Sequence, residues 1–113
     1  MDRSEALTAF SALSQPTRLD ALRLLVRAGA EGLLAGEIAA ALEVRQNTLS
    51  ANLSLLMGAG LIRNRREGRG IRYFADMGRL AGLIGYLMED CCGGAPERCR
   101  PLIDALCCGE EGA

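Results

Sequence analysis

Two helical patterns separated by almost nothing constrain this chain more than any other feature. Gly36 to Leu42 is a short alanine-rich helix, Glu43 and Val44 leave room only for a tight turn, and a second helix follows at once from Arg45 to Met57. Helices joined this closely must cross steeply, which is helix-turn-helix spacing. In the second helix Leu49, Leu53 and Leu56 recur as one buried stripe, while Gln46, Asn47, Ser50 and Ser54 fall on the other side. A solvated helix face usually carries Glu and Lys, whereas here Arg45, at the start, is the only charge. Amides and hydroxyls at a helix N-terminus suit the base edges of a DNA major groove, where Asn or Gln bonds bidentately to adenine. An ordinary amphipathic helix would share the apolar stripe, so the neighbouring segments decide between the two readings.

Downstream, Gly58 to Gly60 close the second helix. Leu61 to Arg66 and Ile71 to Ala75 then look like two strands flanking the turn Glu67-Gly68-Arg69-Gly70, with glycines where positive φ is needed. Helix, turn, helix and an arginine-rich hairpin make a winged helix-turn-helix, with Arg65, Arg66, Arg69 and Arg72 expected at phosphate or the minor groove. Upstream, Asp2 or Ser4 caps a first helix to about Leu13, with Leu7, Phe10 and Leu13 spaced for one buried face. Ser14 restarts the helix with Pro16 in its first turn, Leu19, Leu22, Leu25 and Val26 form its core face, and Gly29 ends it. Glu31 to Leu34 bridges to the helix-turn-helix. After the wing, Arg79 to Cys92 reads as a final helix with the stripe Leu80, Leu83, Ile84, Leu87 and Met88, and Gly82 and Gly85 permit close approach of another backbone. The expected class is mainly α with a small β-hairpin wing, forming a homodimer through the N- and C-terminal helices.

A length of 113 residues implies one folding unit, here residues 1–92, followed by a flexible tail, 93–113, that opens on Gly93-Gly94-Ala95-Pro96. Phe10, Tyr73, Phe74 and Tyr86 are the only aromatics, so the core is small and suits completion by dimerising. The net charge of −1 hides an asymmetry: residues 45–79 hold seven Arg against two acids, and the remainder six Arg against twelve. Positive potential therefore gathers on the reading helix and wing. With no secretory or membrane signal, a cytoplasmic location without membrane partners is expected.

Ser50-x-Asn52-Leu53-x-x-Leu56-x-x-Ala59-Gly60-Leu61, followed by Arg66-Glu67-Gly68-Arg69 and Tyr73, resembles the S-x-H-L-x-x-L-x-x-A-G-L and R-x-G-R signatures of the ArsR/SmtB family of metal-responsive repressors. Leu13-Ser14-x-Pro16-Thr17-Arg18-Leu19 is similar to that family's opening helix junction, and the likeness covers about residues 7 to 92. Asn52 stands where the family commonly has His, and either side chain hydrogen-bonds. The resemblance implies a dimeric repressor on double-stranded operator DNA of inverted-repeat form.

All five cysteines, Cys91, Cys92, Cys99, Cys107 and Cys108, lie in the last 23 residues, and the chain has no His. One Cys is ordinary core filler, but two adjacent pairs in a glycine-rich tail are not. In a reducing compartment such a cluster points to metal or redox chemistry. Trivalent arsenic or antimony fits three thiolates from Cys91, Cys92 and Cys99, because its lone pair leaves a three-coordinate pyramid, with Cys107 and Cys108 as optional members. The resemblance also implies this, since some arsenic-responsive members carry a Cys-Cys pair at the end of the last helix and a third Cys soon after. The E-L-C-V-C-D-L box of other arsenic repressors is absent, Leu34 to Leu42 having no Cys. Alternatives are a zinc or cadmium site, disfavoured by the lack of C-x-x-C spacing, and a thiol redox switch. A thiol-dependent arsenate reductase is a further alternative, since Cys92 to Arg98 satisfies C-x5-R. That loop needs consecutive N–H donors, however, and Pro96 removes one.

Overall fold

Asp2 and Glu5 start the first helix reciprocally: Asp2 Oδ1 accepts from Glu5 N–H at 2.8 Å, and Glu5 Oε1 accepts from Asp2 N–H at 2.9 Å. This capping box satisfies two otherwise orphaned donors. The computed structural model describes residues 1–89, so the tail at 93–113 and all five cysteines lie outside the described residues. The elements are α1 (Arg3–Leu13), α2 (Pro16–Ala28), a 3-10 turn (Gly29–Glu31), β1 (Leu33–Leu34), α3 (Ala35–Leu42), α4 (Gln46–Gly58), β2 (Ile62–Glu67), β3 (Gly70–Ala75) and α5 (Met77–Leu87). The strands form one antiparallel sheet in the order β1-β3-β2. Among the described residues no helix is long and apolar enough to cross a membrane.

The helices form where the sequence places them, but several turn a different face inward. In α1 the buried residues are Ala6, Ala9 and Ala12, while Leu7 and Phe10 are exposed and Leu13 is half-buried. Both sets share the same spacing, offset by one position, and the alanine side lets α1 lie close against α2 and α4. In α2 the core residues are Ala21, Leu22 and Leu25, with Leu19 and Val26 exposed at its flanks. Gln15, not Ser14, caps α2, its side chain accepting from Arg18 N–H at 2.8 Å. Asp76 caps α5 by accepting from Arg79 N–H at 2.9 Å, so that helix begins two residues earlier than expected. It also ends at Leu87, short of Cys92, where Glu89 N–H bonds three residues back to Tyr86 O and tightens the chain into a turn. Only Leu83 of its stripe is buried, and Ile84 and Leu87 are exposed.

Leu25, Ile38, Leu49, Leu53, Leu56 and Leu61 are fully buried where α2, α3 and α4 meet the foot of the sheet. Each contributes about 1.5–3 kcal/mol of apolar burial. The turn between α3 and α4 is set by backbone bonds: Val44 N–H donates to Ala39 O at 3.1 Å and Glu43 N–H to Ala40 O at 3.3 Å. This Schellman closure puts Glu43 at φ 56, a conformation that non-glycine residues adopt only at some cost. The same closure ends α4, where Gly60 at φ 77 supplies the left-handed residue without that cost.

One polar link crosses the core. Arg18 Nη1 donates to Asn52 Oδ1 at 2.9 Å and Arg18 Nε donates to Ala12 O at 2.6 Å, while Asn52 Nδ2 donates to Thr48 O at 3.1 Å. Asn52 is 8% exposed. A single arginine thus ties the end of α1 and the middle of α4 to α2, and the amide at position 52 satisfies it without adding charge.

The strand β1 was not expected. Leu33 and Leu34 pair with Tyr73 and Arg72 because Gly32, at φ 61, turns the chain onto the edge of β3. A Cβ on Gly32 would lie 2.4 Å from Tyr73 O and 2.6 Å from the Phe74 ring. Gly32→Ala is therefore expected to destabilise the fold by about 2–5 kcal/mol, through backbone strain and overpacking together. Urea denaturation measures this, and a loss below about 1 kcal/mol would show that the strand is not held as described. Asn52→Leu keeps the side chain's branching but removes the acceptor that Arg18 finds on α4, and should cost about 1–3 kcal/mol in the same assay.

Candidate nucleic-acid interface

Burial of Leu49, Leu53 and Leu56 turns the rest of α4 toward solvent: Gln46, Asn47, Ser50 and Ser54 are exposed, and so are Thr48, Ala51 and Leu55. Arg45 occupies the N-cap with its side chain exposed and without a capping bond. Asn47 Oδ1 accepts from Thr48 N–H at 2.8 Å, satisfying one first-turn donor.

The four polar residues do not share one site. Gln46, Leu49 and Ser50 line a groove of about 600 Å³ between α4 and the wing, with Arg69, Ile71 and Tyr73 across it and Glu37 of α3 also in its wall. Asn47 is displaced around the helix from that groove, at the exposed N-terminal end beside Arg45. Ser54 stands two turns along and lines a second groove, of about 450 Å³, with Leu7, Ser11 and Arg18. The polar end of α4 is therefore concentrated at Arg45, Gln46, Asn47 and Ser50.

The wing is a two-residue hairpin with Glu67 opposite Gly70 and Gly68 at φ 57 in the first loop position, where a positive φ matches the twist of the strands. Its arginines are not equivalent. Arg66 and Arg69 are exposed and make no ion pair among the described residues. Arg65 donates to Glu67 Oε2 at 2.8 Å and stands 5.1 Å from the centroid of Phe74, with Arg63 at 5.3 Å from the same ring. Arg72 is largely covered, bonded to Glu67 Oε2 at 3.0 Å and to Glu31 O at 3.1 Å. Of the four wing arginines expected at DNA, Arg72 is thus tied into the sheet. Hydrogen bonds from Arg65 and then Arg72 hold the Glu67 carboxyl below its ordinary value, so it is ionised at neutral pH.

Sequence patterning missed Arg18, whose link to Asn52 sets how α4 sits. Its signal was the Pro16-Thr17-Arg18 junction, which carries the resemblance but does not reveal the partner. Among the described residues no three His, Cys, Asp or Glu side chains gather as a metal site. Cys91, Cys92, Cys99, Cys107 and Cys108 all lie beyond them.

A helix-turn-helix domain model matches residues 13–65. The chain is 36% identical over 95 residues to the biofilm growth-associated repressor of Agrobacterium fabrum, covering 83% of this chain and 76% of that protein. An ArsR-like transcriptional regulator from Rhodococcus sp. RHA1 has the same fold, with a TM-score of 0.68 and 28% identity over 92% of this chain and 93% of that one. So does the homodimeric winged helix-turn-helix DNA-binding domain of Mb0332 from Mycobacterium bovis, a possible ArsR-family regulator. Its TM-score is 0.59 at 32% identity, over 77% of this chain and 81% of that domain. The domain model spans α2 to α4 and the start of β2, the relatives match over most of the chain, and the chain belongs to the ArsR family of winged helix-turn-helix transcriptional regulators.

Proposed function

We propose that this chain is a homodimeric transcriptional repressor that reads an inverted-repeat operator with the N-terminal end of α4. The observation that carries this is the exposed set Arg45, Gln46, Asn47 and Ser50, hydrogen-bonding groups with no carboxylate among them, beside a wing whose Arg66 and Arg69 are exposed. Amides and hydroxyls supply base-edge contacts, and the wing arginines supply phosphate contacts that fix register. The relatives are transcriptional regulators and not enzymes, which leaves the C-x5-R spacing of Cys92 to Arg98 without a catalytic role.

A two-fold partner is supported by apolar surface on α1 and α5, which pack on each other and expose Leu7, Phe10, Ile84 and Leu87. The Mycobacterium bovis relative is described as homodimeric. Two-fold symmetry places operator half-sites roughly 34 Å or a multiple apart.

The inducer in this reading is trivalent arsenic or antimony, bound by thiolates of Cys91, Cys92 and Cys99, with Cys107 and Cys108 as optional ligands. Support comes from the sequence: five cysteines crowd the last 23 residues, no His competes, and Cys91 follows the end of α5 by four residues. Drawing thiolates together next to a dimer helix changes how the two helices meet and hence the spacing of the reading heads. A coupling of about 1–3 kcal/mol, common in allosteric proteins, suffices to empty an operator whose occupancy is poised near its dissociation constant.

Fluorescence anisotropy on the duplex upstream of the protein's own gene tests the DNA reading: Arg69→Ala should weaken binding to all sequences and flatten the salt dependence by about 0.9 in log–log slope per protomer. No salt-dependent binding by the native dimer would defeat it. For the inducer, arsenite should release the duplex from native protein but not from Cys91→Ser, Cys92→Ser or Cys99→Ser. Loss of the response in a Cys107/Cys108 double Ser variant, with retention in Cys99→Ser, defeats the ligand assignment. Release by zinc or peroxide alone would favour the metal or redox alternatives instead.

A further inference from the structure

Between Arg63 and Arg72 the wing holds five arginines and one acid, and that acid sits among the cations at the tip. Arg65 and Arg72 stand directly opposite each other in the β2–β3 ladder, a like-charge pairing that opposes strand association. Glu67 Oε2 relieves it by accepting from Arg65 Nη2 at 2.8 Å and from Arg72 Nε at 3.0 Å.

The two arginines use this carboxylate differently. The Arg72 side chain is 23% exposed and also donates to Glu31 O, so its charge is spent joining the wing to the turn before β1. The Arg65 side chain is 63% exposed, and among the described residues its charge is met, apart from Glu67, only by the face of Phe74. A DNA phosphate approaching the wing would find Arg66 and Arg69 unpaired among the described residues, and Arg65 already engaged.

Resting on the DNA-binding reading above, we infer that Glu67 is an internal competitor for DNA phosphate: it occupies Arg65 in the free protein and so limits how tightly the wing holds any duplex. A phosphate must displace the carboxylate from Arg65 or lie near it, and either route subtracts from the gain of a charge-assisted contact. Phosphate contacts carry no sequence information, so the limit applies equally to operator and unrelated DNA. Such a device lowers the wing's hold on every duplex alike and leaves discrimination to α4.

The test is a salt series of anisotropy titrations with the full chain on its upstream duplex and on an unrelated duplex. Glu67→Gln should tighten binding to both by about threefold to tenfold at low salt and steepen the log–log slope by up to about 0.9 per protomer, one extra phosphate contact in each half of the dimer. Adding Arg65→Ala to that variant should abolish the gain. In the native background Arg65→Ala should weaken binding clearly less than Arg69→Ala, a comparison that decides the matter even if Glu67→Gln proves unstable in a thermal melt. Unchanged or weaker binding by a folded Glu67→Gln protein overturns the inference. So does a gain that survives Arg65→Ala, or an Arg65→Ala loss equal to that of Arg69→Ala. Absence of salt-dependent binding by the native chain would instead defeat the DNA reading itself, so the two failures are distinguishable.

Discussion

Burial of one leucine stripe governs the rest of this structure. Leu49, Leu53 and Leu56 of α4 are withdrawn from water against α2 and α3, and together they represent about 5–9 kcal/mol of apolar transfer. A helix has one rotation that buries such a stripe, so Gln46, Asn47 and Ser50 are exposed as a consequence of packing rather than by any preference of their own. The polar bond between Arg18 and Asn52 refines that placement. Through one side chain of α2 it joins α4 to the end of α1.

The wing follows a different logic, in which charge rather than burial sets the arrangement. Its strands bring Arg65 and Arg72 into direct opposition, and the sheet tolerates this because Glu67 bridges the two, while Phe74 lies beneath Arg63 and Arg65. The same bonds that hold the hairpin together therefore decide which cations are left for a polyanion. Stability and affinity are coupled in the wing in a way that they are not in α4, where buried and exposed faces are separate residues.

How far these features could be read in advance depends on the range of the interactions that fix them. The helix-turn-helix, both glycine-closed helix ends and the hairpin register were legible because each is set by residues within a few positions of one another. The inward face of α1 was not, and in α2 only Leu22 and Leu25 of the expected four are buried. Leu7 and Phe10 share their spacing with Ala6 and Ala9, and hydrophobicity alone ranks the larger residues first. A close-packed contact chose the alanines. Likewise β1 was invisible in a two-residue segment, since Leu33 and Leu34 become a strand only when β3 offers an edge.

The sequence by itself determined the order of the five helices and the hairpin, the polar composition of the α4 surface, the concentration of arginine in the wing and the crowding of cysteine after residue 90. Those are properties of local pattern and composition, and no packing is needed to see them. Only the tertiary structure decided that Ser54 lines a different groove from Gln46, that Arg72 is tied into the sheet while Arg66 and Arg69 are exposed, and that Arg18 reaches Asn52 across 34 positions. Each of these depends on which side chain meets which across separate elements. One-dimensional spacing does not encode that, because a face is specified by the pattern but its partner is specified by the fold.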